Sequence, residues 1–102
     1  MMQIIYIAGP ITGVEDYQER FAQAVAEVKA AGFLTISPAD HPRGLTNAEY
    51  MRLSFAAIDA ADGVLFLPDW PLSKGATLEH LYCEYTNKPH SARLDLLKEA
   101  IK

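Results

Sequence analysis

A single cysteine, Cys83, leaves this chain with no partner for an internal disulfide. That scarcity points to a reducing, cytoplasmic setting. No apolar run approaches the ~20 residues of a membrane helix and no secretory h-region follows Met1, so neither insertion nor export is expected. Basic residues are the minority. Nine Lys and Arg against thirteen Asp and Glu give a net charge of −4, which argues against broad attraction to polymeric nucleic acid. Neither G-x-x-x-x-G-K-[ST] nor G-x-G-x-x-G occurs, so the two common phosphate-loop fingerprints are missing. Metal-ligand spacing is poor as well. His80 and Cys83 stand three apart on one segment with no further ligand in reach along the chain, and His41 and His90 are isolated, so neither metal nor cofactor is expected.

What remains is a sequence suited to one folded domain spanning residues 1–102. Half of its residues are hydrophobic and 22% are charged, the balance of a globular chain. A chain of this size buries roughly 65% of its unfolded surface. Its patterns alternate. Gln3 to Ile7 is an apolar run of strand length closed by Ala8-Gly9-Pro10. Asp16 with Glu19 resembles a capping box, and Phe21, Ala24, Val25, Val28 and Ala31 follow at helical spacing up to Gly32. Phe33 to Ile36 reads as a second strand. Thr46 with Glu49 makes a cleaner capping box for a helix carrying Tyr50, Ala57, Ile58 and Ala61. A third strand, Val64 to Leu67, precedes a helix whose apolar positions are Leu78, Leu81, Tyr82 and Tyr85, with Asn87 as its C-cap. Only Lys88 to Ser91 is left for a fourth strand before a short amphipathic helix with Leu94, Leu97 and Ile101. Strands alternating with helices imply an α/β fold, with a parallel sheet of three to four strands.

In such a sheet the carboxyl ends of the strands share one edge, and ligands bind there. Three segments converge on it: Ala8 to Gly13, Ser37 to Gly44, and Pro68 to Ser73. Gly9 and Gly13 around Thr12 either let the backbone approach a ligand or make a plain tight turn. Ser73 is the expected N-cap of the third helix; its hydroxyl either satisfies backbone donors or, with the N–H groups after it, holds an anion. Glu79 follows one turn later. Helical side chains lean toward the N-terminus, so Glu79 reaches back over Gly75 and Ala76, which lack the bulk to keep a small molecule away. Tyr6 either fills the core or bonds that carboxylate. Ser54 either bonds the carbonyl one turn earlier or points at the site. Asp69 and Trp70 stand on the same edge, Trp70 as a stacking surface for a base or as a lid over the core. Asp62, at the opposite edge, reads as structural, and Cys83 as a small core residue.

Tyr6-Ile7-Ala8-Gly9-Pro10, together with Ser73-x-Gly75-Ala76-x-x-Glu79 after the third strand, resembles the nucleoside 2-deoxyribosyltransferase-like superfamily. The likeness includes a small bacterial and phage-borne branch with a Trp-x-x-Ser-x-Gly-Ala-x-x-Glu pattern, here Trp70, Ser73, Gly75, Ala76 and Glu79. It runs from about Gln3 to Pro89. The resemblance implies a small three-layer Rossmann or flavodoxin-like fold and N-glycosidic bond cleavage or transfer on a 2-deoxynucleoside or its 5′-monophosphate. In characterised members the glutamate matching Glu79 is the nucleophile that takes the deoxyribosyl group as an ester, and the tyrosine matching Tyr6 orients it. An oxocarbenium-like transition state needs an adjacent carboxylate and no metal.

By the same resemblance, the Gly9-Pro10-Ile11-Thr12-Gly13 loop, Ser54, Asp69, Trp70, Ser73, Gly75 and Ala76 are expected around the substrate, and a homodimer or larger homo-oligomer is expected. The transferases carry aspartate at the positions of Ser54 and Ser73. Deoxynucleoside 5′-monophosphate N-glycosidases carry serine at the second and use it on the phosphate, which favours a monophosphate here. Their loop arginine is missing between Gly9 and Gly13, leaving Arg43 or Arg52 as substitutes. Ser54 in place of a carboxylate supports an alternative from another class, a nucleotide-binding module that has lost the chemistry.

Overall fold

The computed structural model describes residues 2–102. Its chain alternates as the sequence pattern requires. Strand β1 (Ile4–Ala8) leads to helix α1 (Tyr17–Ala30), β2 (Leu34–Ile36) to α2 (Asn47–Ala60), β3 (Gly63–Phe66) to α3 (Lys74–Thr86), and β4 (His90–Ser91) to α4 (Leu94–Ala100). Two short 3₁₀ turns, Pro38–Asp40 and Trp70–Leu72, precede α2 and α3. The four strands pair in the order β2-β1-β3-β4, all parallel. The chain moves outward from β1 to β2, then crosses back to β3 on the other side. The switch point therefore lies between the carboxyl ends of β1 and β3, where an open α/β sheet leaves a crevice.

Alternation along β1 decides what each face receives. Ile5 and Ile7 face α1 and α4, where Phe21, Ala24, Val28, Leu97 and Ile101 complete one core. Tyr6 and Ala8 face α2 and α3, joining Ile58, Val64, Phe66 and Cys83 in a second core. Three layers result, and Tyr6 is the one residue of the strand that brings a polar atom into the second core.

Local signals set most element ends. Thr46 Oγ1 accepts from the Glu49 N–H while Glu49 accepts from the Thr46 N–H, a reciprocal capping box. Asn87, at φ 59°, closes α3 in the left-handed conformation. Asp62 accepts from the Ile4 N–H at 2.7 Å, tying the entry of β3 to β1 as a structural residue.

Two local expectations are corrected. Asp16 does not cap α1 through its side chain: its backbone, at φ −97° and ψ 22°, is not extended as a capping residue's must be. The apolar stripe of α3 is also reversed. Leu78, Leu81 and Tyr85 are exposed, Tyr85 at 89%, whereas Ala76, Glu79 and Cys83 are buried. Small residues let the helix lie close on the sheet, and that closeness puts Glu79 above Tyr6. Tyr82 alone of the expected positions packs inward, stacked on Phe55.

Candidate active site

Three polar side chains from three elements meet in the second core. Tyr6 rises from β1 and is fully buried; Ser54, on the inner face of α2, is also fully buried; Glu79, on the inner face of α3, is 5% exposed. The Tyr6 hydroxyl donates to Glu79 Oε2 at 2.7 Å. A phenol has one proton, so the Ser54 hydroxyl, 3.1 Å from the Tyr6 phenol oxygen, donates to that oxygen. Ser54 is thus bonded to Tyr6 within the core, and its side chain does not line the cleft.

Burial controls the electrostatics. Loss of solvent pushes the Glu79 carboxyl from its usual 4.5 up to about 7, and the bond from Tyr6, with the nearby Ser54 hydroxyl, pulls the other way. Burial, followed by the Glu79 charge, drives the Tyr6 phenol well above 10, so it stays a donor. Tyr50, on α2, is pushed up to about 12 by the same two causes in the same order. Burial also pushes the Cys83 thiol up to about 12, which removes it as a nucleophile.

Glu79 forms part of the wall of a cleft of about 650 Å³ at the carboxyl edge of the sheet, within the size range of small-molecule sites. The loops after three strands build it. Gly9, Pro10, Ile11 and Thr12 come from the first, His41, Arg43 and Gly44 from the second, and Ser73, Gly75 and Ala76 from the third and the start of α3. Ser73 caps α3, its Oγ accepting from the Ala76 N–H at 3.1 Å. Among the described residues lining the cleft, Glu79 is the only acid, facing Arg43, Lys74 and His41. The cleft suits an anion with one carboxylate set deep against it.

The two glycines that the sequence singles out differ in purpose. A Cβ at Gly9 would lie 2.7 Å from Leu67 Cδ1, so its bareness serves the packing of β1 against β3. At Gly75 a Cβ would meet only Met51 Sδ and Ser73 Oγ at 3.8 Å, an ordinary contact. The protein leaves that space open without needing it for itself.

Other expected site residues lie elsewhere. Gly13, at φ 79°, turns the loop without lining the cleft. Asp69 is held by Arg20 at 2.6 Å, tying the loop after β3 to α1. Trp70 lies over Phe66 and stacks on His80, centroids 4.1 Å apart and 11° from parallel, so it is a lid over the core rather than a wall of the cleft. Its 3₁₀ turn directs the ring toward the outer part of α3. Arg52 does not line the cleft, whereas Arg43 does.

Two groupings escaped the sequence reading. His41 is not an isolated surface residue: it lines the cleft, edge-on to Tyr50, and its Nδ1 is buried without a partner among the described residues. A buried nitrogen left unpaired marks a place where a ligand can bond. His90 is not isolated either, since β4 carries it to His80 and Glu84. Pairing of β4 beside β3 was the missing signal.

Residues 3–90 match the family described as a domain of unknown function (DUF4406). No curated protein matches the chain.

Proposed function

The chain belongs to the DUF4406 family, and we propose that it breaks the N-glycosidic bond of a 2-deoxynucleoside 5′-monophosphate or its nucleoside, with Glu79 as nucleophile. The carrying observation is the 2.7 Å bond from Tyr6 to Glu79 in the wall of a cleft whose other charged groups are basic. Tyr6 occupies Oε2 and leaves Oε1 to attack. As the Oε1–C1′ bond forms, the C1′–N bond breaks, and its electron pair leaves on the base nitrogen, which takes a proton from solvent. Water or a second base then attacks C1′ as the Oε1–C1′ bond breaks, gives up its proton to solvent and frees the carboxylate. Tyr6 holds one oxygen fixed through both steps, which keeps the nucleophile oriented.

The phosphate has a place. The first turn of α3 offers backbone N–H groups and the positive end of its dipole, with Ser73 Oγ beside them and Arg43 and Lys74 on the rim. A carboxylate at Ser73 would repel that anion; a hydroxyl does not. No cofactor is required by this chemistry.

Incubation with deoxynucleosides and their monophosphates, with free base measured by chromatography, tests the reading. Base release that disappears in Glu79→Ala supports it. Ser54, a neutral hydroxyl beneath the phenol, favours the second reading of a binding module without chemistry. Saturable nucleotide binding with no base released, unchanged in Glu79→Gln, supports that reading instead. Ligands that fail to raise the thermal midpoint at all count against both.

A further inference from the structure

Outside the cleft, His80 and Glu84 stand one helical turn apart on α3, and β4 brings His90 to face them. One donor atom of each lies within 4.8 Å of the other two. His90 Nε2 is 3.9 Å from Glu84 Oε1, too long for a hydrogen bond. Neither ring nitrogen of His80 bonds to another residue among those described. Three good donors thus converge without bonding one another. The geometry points to a site for a divalent transition metal of the zinc class, held by His80, Glu84 and His90.

The second layer suits the purpose. His90 Nδ1 lies 2.7 Å from the Lys88 carbonyl, which fixes the proton on Nδ1 and leaves the Nε2 lone pair turned to the cluster. A carbonyl behind the ring is the usual way a ligating histidine is oriented and made more basic. His80 is held in plane by Trp70, and both imidazoles sit edge-on to Phe66, with centroids at 5.2 and 6.0 Å.

Tetrahedral zinc with bonds of about 2.0–2.1 Å places donors about 3.4 Å apart. The cluster must therefore tighten by roughly an ångström. Glu84 is exposed and free to supply that movement. Two histidines and a glutamate leave a fourth position for water, facing solvent beside Glu84. The consequence is mechanical. β4 has only two residues in its strand, and a metal would clamp it to α3.

The test uses the whole chain without a histidine tag, stripped by chelator. Zn²⁺ is titrated by calorimetry and Co²⁺ by visible absorption. A single equivalent, tetrahedral Co²⁺ bands displaced by Zn²⁺, and a raised thermal midpoint are expected. Glu84→Gln, on an exposed side chain, should weaken binding by at least the roughly 10–100-fold that an outer partner is worth, and His90→Ala likewise. Absence of saturable binding in the parent chain overturns the proposal. So does binding that either variant leaves unchanged.

Discussion

Tyr6 and Glu79 lie 73 positions apart in the chain, yet one proton holds them 2.7 Å apart beneath the cleft. The pair places a carboxyl in a nearly dry environment with a single strong donor. Its stability effects and its chemistry follow from that.

Glu79 is costly to the fold. With its pKa at about 7 against 4.5 when unfolded, the native state keeps a proton that the unfolded chain sheds. Stability therefore falls as pH rises from about 4.5 to about 7 and levels off above. Glu79→Gln removes this dependence, and at pH 8 it should stabilise the chain by up to about 3 kcal/mol while abolishing base release. Urea denaturation at pH 4 and pH 8 measures the difference, expected to vanish at the lower value.

Catalysis should run the opposite way. Only ionised Glu79 attacks, so base release should rise with pH through about 7. Tyr6→Phe removes a bond that favours the carboxylate, so this limb should move to higher pH. A purely structural role for Tyr6 would lower stability and leave the limb in place. A pH–rate profile beside a melting curve separates the two.

Gly75 and Gly9 should part company on substitution. Gly75→Ala gains helix propensity, worth up to about 1 kcal/mol, at ordinary contact distance. Its methyl would occupy the space beside Glu79, so the thermal midpoint should rise while KM for the nucleotide also rises. Gly9→Ala forces Leu67 aside and should cost about 1–3 kcal/mol. Melting curves and saturation kinetics read both.

Leu72 and Leu78, at the mouth of the cleft, continue along α3 into Leu81 and Tyr85 as an exposed apolar stripe. A second copy of the chain is the proposed cover, which would also close the cleft mouth. Light scattering should find a dimer or larger assembly in the parent chain and a monomer in Leu81→Glu with Tyr85→Glu. A parent chain that is already monomeric rules the cover out.

Much of the architecture could be read from local signals. Thr46 with Glu49 and Asn87 announce helix ends because their bonds close within a few residues. The apolar runs of β1 and β3 announce central strands because both faces are covered. The same locality misleads where packing decides. Asp16 looks like a cap until its backbone turns away. Leu78 and Leu81 look like the inner face of α3 until the sheet takes Ala76 and Cys83 instead.

The order of strands and helices, and the convergence of Gly9, Ser73 and Glu79 on one edge, are properties of the sequence itself, since strand direction and helix spacing repeat along the chain. Tertiary structure alone decided that Ser54 bonds Tyr6, that Trp70 stacks on His80 and not in the cleft, and that β4 delivers His90 to Glu84. Those outcomes depend on how each helix is rotated about its own axis and how closely it lies on the sheet. Rotation is chosen by the joint packing of distant side chains, and no neighbouring residues encode it.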